Sequence, residues 1–183
     1  IKGDVSDEAS VRAQYSHDTS IFERTPSLVV YPKDTEDVSA VIRFAHEGKA
    51  NGENISVTAR SAGTDMSGGP LTDSIILVFT KYMNAIGGVS DDSAIVEPGA
   101  YYRDFEKATL AHGGLILPSY PASREICAMG GIISNNSGGE LTLQYGKTNN
   151  YVRELETVLS DGSRAVMHPL SPNELAAKKS EDI

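Results

Sequence analysis

Ile55-Ser56-Val57-Thr58-Ala59-Arg60-Ser61-Ala62-Gly63-Thr64-Asp65-Met66-Ser67-Gly68-Gly69 is the stretch on which the reading of this chain turns. An apolar run of strand character, 55–59, passes directly into a loop of small and hydroxylic residues. Glycines reach positive φ without strain, and short side chains let backbone N–H groups approach a phosphate oxygen closely. The loop is therefore a candidate diphosphate cradle. Its glycines do not follow the G-x-G-x-x-G spacing of a dinucleotide fingerprint, and no G-K-[ST] follows to make a Walker loop.

Working outward, Ser27-Leu28-Val29-Val30-Tyr31 reads as a buried strand closed by Pro32. Asp34 suits a helix N-cap, Glu36 and Asp37 load the first turn with negative charge, and Val38, Val41, Ile42 and Ala45 recur at helical spacing before Gly48. Strand, helix and strand 55–59 make a βαβ crossover, with the first and second strands expected to pair in parallel. The candidate cradle then leaves the carboxyl end of a strand, where open α/β sheets bind ligands.

Further on, Ile75-Ile76-Leu77-Val78-Phe79 and Ala94-Ile95-Val96-Glu97 are read as strands, the second ended by Pro98-Gly99. A helix from about Tyr101 to His112 ends at Gly113-Gly114. Two strand-like runs flank Asp161-Gly162, a strong hairpin signal. Ser171-Pro172-Asn173-Glu174 has the form of a capping box with proline at the first helical position. The expected fold class is α+β in two lobes. Residues 1–25 form an arm with some helix, 26–80 a small lobe with parallel strands, 81–170 a larger lobe with antiparallel strands, and 171–183 the start of a charged helix.

Composition excludes several function classes. The 183 residues carry 25 Asp plus Glu against 16 Lys plus Arg, a net charge of -9, which gives nucleic-acid binding no help from the overall field. No apolar run approaches the length of a membrane span. The single cysteine, Cys127, permits no internal disulfide and reads as a small buried hydrophobe. With no signal-peptide h-region visible, the expected setting is reducing and cytoplasmic. No His, Cys or carboxylate group has metal-ligand spacing, so no metal is expected. The opening at Ile1 rather than Met suggests a piece of something longer.

Thirteen of the 17 glycines lie between Gly63 and Gly146, so glycine is concentrated where a ligand would need close approach. A second cluster runs from Pro118-Ser119-Tyr120-Pro121-Ala122-Ser123-Arg124-Glu125 through Met129-Gly130-Gly131-Ile132-Ile133-Ser134-Asn135-Asn136-Ser137-Gly138-Gly139. Proline-stiffened turns lead into a Gly-Gly step and a run of amides and hydroxyls, which suits a flat polar ring.

Taken together, Val29-Val30-Tyr31-Pro32, Ala59 through Thr64, Val96-Glu97-Pro98-Gly99, Ser123-Arg124-Glu125, Met129-Gly130-Gly131, Asn135 through Gly139 and Tyr145-Gly146 resemble the FAD-linked oxidase family. This is the vanillyl-alcohol-oxidase-like, PCMH-type FAD-binding domain, in the branch of glycolate oxidase and D-lactate dehydrogenase flavin subunits. The resemblance runs from about Ser27 to Gly162 in family order. It implies an extended FAD held between two α+β subdomains, with Arg60, Ser61, Ala62, Gly63, Thr64 and Asp65 around the pyrophosphate. Pro121, Ser123, Met129, Gly130, Gly131, Ser134 and Asn135 would lie along the ribityl chain and isoalloxazine.

By the same resemblance, the activity is oxidation of a 2-hydroxy acid or related alcohol by hydride transfer to flavin N5, with an electron-acceptor protein or a quinone as a further partner. Relatives with covalent flavin carry His at the position of Thr64, so a non-covalent FAD is implied here. Family members continue into a Gly-rich segment at the adenine and a substrate-capping domain, and no catalytic residue is assigned within this chain. Two alternatives stand beside this reading. One is an NADPH-dependent reductase of an enolpyruvyl nucleotide sugar on the same scaffold, and the other is a catalytically incomplete FAD-binding module.

Overall fold

The computed structural model describes residues 1–181. Its first sheet contains β1 (Asp4–Ser6), β2 (Leu28–Tyr31), β3 (Val57–Arg60) and β4 (Ile75–Val78), with α1 (Ala9–Gln14) between β1 and β2 and α2 (Thr35–Ala50) between β2 and β3. The spatial order is β1-β2-β4-β3. The parallel character expected of the crossover is present, but β2 and β3 are not neighbours. β4 lies between them, placing Val29 opposite Ile76 on one side and Ala59 opposite Leu77 on the other. The reason is burial: all four β4 residues are apolar and buried, whereas β3 carries Thr58 and an exposed Ala59. The most continuously apolar strand takes the centre, where both faces are covered.

The two faces alternate along the strands as the pleat requires. Val30, Ile75 and Leu77 pack with Val38 and Val41 of α2. Val29, Tyr31, Ile76 and Val78 pack with Val11 of α1 and with Tyr15. The N-terminal residues thus cover the second face, and β1 pairs antiparallel with β2.

A third core lies among β5 (Ile86–Val89), β6 (Ala94–Val96), α3 (Tyr102–Gly113) and α4 (Met129–Ser134), where Tyr102, Phe105, Tyr120, Cys127, Met129 and Ile132 are buried together. α5 (Thr142–Tyr145) and a 3-10 turn (Thr148–Asn150) lead to the antiparallel hairpin of β7 (Leu155–Val158) and β8 (Arg164–Met167). The Asp161 carboxylate organises that turn by accepting from the Ser163 N–H and hydroxyl. Val158 reaches the α2 side of the first sheet. The capping box at α6 (Pro172–Lys179) is formed in both directions, Ser171 accepting from Glu174 N and donating its own N–H to Glu174. The last two residues of the charged segment expected at 171–183 lie outside the described residues.

β1, β5, α4, α5 and the 3-10 turn are absent from the sequence reading; β5 and α4 each contain a Gly-Gly pair that lowers the intrinsic preference for regular structure.

Asp34 caps α2 as its position suggests, accepting from Asp37 N. Asp37, expected only to add charge to the first turn, has a larger role. It is 2% exposed and accepts from Lys2 N at 2.6 Å, Gly3 N at 2.9 Å and Lys33 N at 3.0 Å. Burial pushes its pKa up, and the three N–H groups together outweigh that and hold the carboxyl below its usual range. Asp37→Ala is expected to lower the unfolding free energy by about 2–3 kcal/mol, since three donors lose one buried acceptor; urea midpoints read this. A folded-state pKa below the unfolded one gives stability that is complete above about pH 4 and lost as pH falls through the folded value. The gap between wild type and variant therefore narrows in acid.

Candidate functional site

The two glycine-rich clusters meet at one atom. The Pro98 carbonyl oxygen accepts from Ser61 Oγ at 2.9 Å and from Gly130 N at 2.8 Å, which joins the loop after β3 to the start of α4. Glycine is required at 130 by this approach: a Cβ there would lie 2.6 Å from Ser61 Oγ and 2.8 Å from the Pro98 carbonyl oxygen.

Arg60 is the floor of the first cluster. Its residue is buried, Nη2 donates to His17 O at 2.7 Å, the guanidinium stacks 5.5 Å from the Tyr15 ring centre, and Nη1 has no partner among the described residues. Burial lowers its pKa, opposed by the charge of Asp18; a guanidinium remains protonated through such a shift. Gly63, at φ +70°, passes directly over this cation, and a Cβ would overlap the guanidinium. From Ser61 to Asp65 the loop is half-buried. The N–H groups of Ser61, Ala62, Gly63 and Thr64 donate to no acceptor among the described residues.

Asp65 turns inward. Its carboxylate accepts from Ser67 Oγ at 2.6 Å, Gly69 N at 2.8 Å and Ser67 N at 3.0 Å. The Ser67 hydroxyl, the Gly69 N–H and the remaining amides hold the carboxyl below its usual range. Asp65 therefore shapes the loop from within, while the donors at 61–64 remain directed elsewhere.

In the second cluster, Pro121 O accepts from Arg124 N, and Ser123 O accepts from the N–H groups of Ile126 and Cys127, a compact turn that delivers the chain to α4. Tyr120 is fixed beside it, its hydroxyl donating to Glu140 at 2.7 Å with Arg124 stacked 4.8 Å from the ring centre. Met129 belongs to the core by side chain and gives its N–H to Ala100 O. Gly131, Ser134 and Asn135 are exposed along α4 and its end. Asn136 adopts φ 45°, within reach of asparagine, and its side-chain oxygen accepts from Asn149 N at 2.9 Å. Thr148 Oγ1 lies 2.9 Å from Ser137 O and 3.1 Å from Ser119 Oγ, which locks the 3-10 turn to both ends of the cluster.

Cys127 is buried with its thiol pKa pushed up by desolvation. Among the described residues no group of three or more His, Cys, Asp or Glu is arranged for a metal ion, and no helix is long and apolar enough to cross a membrane. A groove of about 330 Å³ beside Asn136, Arg153 and His168 is lined by no residue of the loop after β3. Sequence reasoning did not find His17, Asp18 and Thr19, which reach the first loop. Nothing in their local pattern signals a contact some forty or more residues away.

The residues present fit a dinucleotide-sized anionic cofactor: unengaged loop amides over a buried cation, and a second glycine-containing turn fixed beside them. Residues 26–167 match the family described as FAD binding domain. The chain is 34% identical over 161 residues to the glycolate oxidase subunit GlcD of Bacillus subtilis (strain 168), covering 85% of this chain and 33% of that protein. It is 36% identical over 153 residues to the D-lactate dehydrogenase of Archaeoglobus fulgidus, covering 77% and 33%. The chain thus spans about a third of the length of these relatives. Two solved structures share the fold: 6-hydroxy-D-nicotine oxidase from Arthrobacter nicotinovorans, with TM-score 0.76 and 21% identity over 92% of this chain and 36% of that chain, and glucooligosaccharide oxidase from Acremonium strictum, which carries a 6-S-cysteinyl, 8α-N1-histidyl FAD, with TM-score 0.74 and 16% identity over 91% and 34%. With the family matched over most of its length and the fold of the PCMH-type FAD oxidases, the chain belongs to the FAD binding domain family.

Proposed function

We propose that this chain is the FAD-binding part of a flavin-dependent oxidoreductase that oxidises a 2-hydroxy acid of the glycolate or D-lactate type, with the FAD held non-covalently. The observation that carries the cofactor reading is the row of N–H donors at Ser61, Ala62, Gly63 and Thr64, without acceptors among the described residues, above the buried Arg60 guanidinium. A diphosphate supplies acceptors for such donors and a charge that a partly desolvated cation attracts more strongly than bulk water would allow. The substrate class is taken from the curated relatives, whose similarity covers 85% and 77% of this chain.

When bound, the flavin supplies hydride acceptance at its N5. The chain's own contribution is binding and orientation. Ser61 through Thr64 would hold the anionic bridge, and Asp65 ties the loop together through Ser67 and Gly69. Pro121, Ser123 and the start of α4 at Met129, Gly130 and Gly131 would hold the remainder of the cofactor, with Ser134 and Asn135 as exposed polar groups available to it. Ser61 carries two roles, since its hydroxyl also ties the loop to Pro98. Thr64 offers no nitrogen for a histidyl bond. The Cys127 thiol is 3% exposed within the third core and its burial disfavours the thiolate. These two points support a dissociable cofactor.

Reconstitution with FAD, followed by acid precipitation, tests the mode of attachment. All flavin colour is expected in the supernatant as intact FAD, and colour retained in the protein pellet would overturn the non-covalent assignment. Gly130→Val forces apart Ser61, Pro98 and α4, and is expected to weaken FAD binding by at least about tenfold, roughly the loss of one to two hydrogen bonds; fluorescence titration measures it. In the full-length protein, anaerobic glycolate or D-lactate should bleach the flavin. Bleaching by NADPH instead would replace the hydroxy-acid reading with the reductase one, and bleaching by neither would leave a binding module.

A further inference from the structure

The turn from His17 to Glu23 lies outside the residues matched to the family, yet it touches the loop after β3 at its base, middle and far end. Arg60 Nη2 donates to His17 O at 2.7 Å. Thr19 donates both its N–H, at 3.1 Å, and its hydroxyl, at 2.7 Å, to Asp65 O. Gly68 N donates to Asp18 Oδ2 at 3.1 Å, and the Phe22 ring lies against Gly68, where a Cβ would come within 3.1 Å. The turn is stiff in its own right. His17 and Glu23 form an antiparallel bridge, Arg24 N donates to Ser16 O, Asp18 Oδ1 accepts from Ser20 N, and Ser20 Oγ accepts from Phe22 N.

From these contacts we propose that His17–Glu23 is a strap that sets the shape of the anion-binding loop, with Asp18 and Thr19 as positioning residues for the cofactor's diphosphate. The inference rests on the reading of that loop as an FAD site.

Two physical points carry it. The loop contains Gly63, Gly68 and Gly69, and glycine loses more conformational freedom on ordering than any other residue. A loop ordered before binding spares the ligand that cost. The strap also sorts the loop's donors. Asp18 engages the Gly68 N–H, and Asp65, held through its carbonyl by Thr19, engages those of Ser67 and Gly69. The loop donors left without acceptors among the described residues are then the consecutive N–H groups from Ser61 to Met66. Asp18 introduces a carboxylate near an anion site, which alone would repel a diphosphate. Both its oxygens are engaged by N–H groups, and the Arg60 charge lies close enough to act on it.

The test uses Thr19→Val, Asp18→Ala and the conservative Thr19→Ser. Hydrogen exchange of the loop amides is followed in the FAD-free protein, and the FAD release rate in the reconstituted one. Thr19→Val is expected to raise both rates by about three- to tenfold, the loss of a single hydrogen bond, and Asp18→Ala, which removes two, by at least as much. Thr19→Ser returns both to wild type, and the melting temperature of the Thr19 variants stays near its wild-type value because Thr19 is exposed. Unchanged loop exchange would overturn the strap whatever the cofactor does. Faster exchange with an unaltered release rate would overturn the positioning role. Failure of the wild-type protein to bind FAD, also in a longer chain, would overturn the FAD reading and this role with it, while the exchange data would still report the strap.

Discussion

The arrangement depends on the Pro98 carbonyl oxygen. It is a single acceptor with two lone pairs, and each is taken by a donor from a different part of the chain, Ser61 Oγ and Gly130 N. Proline suits this position because its fixed φ aims the following carbonyl and it has no N–H of its own to satisfy. The next residue, Gly99, donates to Met83 O at 2.8 Å, so the acceptor is anchored to the segment that leaves β4. A hydroxyl after β3 and an amide at the start of α4 are therefore held at hydrogen-bond distance from one point. Their separation is fixed by bond geometry rather than by side-chain packing, which tolerates more variation.

The other fixed element is β4. Because it is buried on every residue, it must be covered on both faces, and the second cover comes from α1 and Tyr15. The same Tyr15 stacks on Arg60. Covering the sheet and burying the cation are thus one requirement met by one segment. An arginine in water would gain little by lying under a phosphate loop. Removed from water, with one acceptor at His17 O and no partner for Nη1 among the described residues, and with Asp18 only partly offsetting its charge, it has an anion as its natural complement.

How much of this was legible in the sequence differs from element to element. The strand at 28–31, α2 with its Asp34 cap, α3 ending before a left-handed Gly114, the hairpin around Asp161-Gly162 and the capping box at Ser171 are all written in local pattern, and the structure has them. Local pattern also located both clusters. It could not show that β4 separates β2 from β3, because strand order is decided by competition for burial among distant segments. Nor could it show α4, where Gly130-Gly131 argues against helix and the tertiary need for a close approach to Pro98 overrides propensity. Asp37 and Thr19 look like ordinary surface polar residues in sequence. Their partners at Lys2, Gly3 and Asp65 lie more than thirty positions away, and only folding reveals them.

The chain's acidic balance, a net charge of -9, opposes the proposed anion site at long range, and distance resolves the conflict. Charges on an exposed surface are screened beyond about 8–10 Å at physiological salt. The proposed site would act at hydrogen-bond range, through the unpaired loop N–H groups and one buried guanidinium in a medium of lower dielectric constant. The carboxylates nearest to it, Asp18 and Asp65, are already engaged by N–H and hydroxyl donors of the strap and the loop, which weakens their outward field. Composition therefore governs encounters with extended polyanions, whose many phosphates sample the whole surface, while a single diphosphate reads only the few atoms around Gly63. The same sequence can repel a nucleic acid and still hold a dinucleotide.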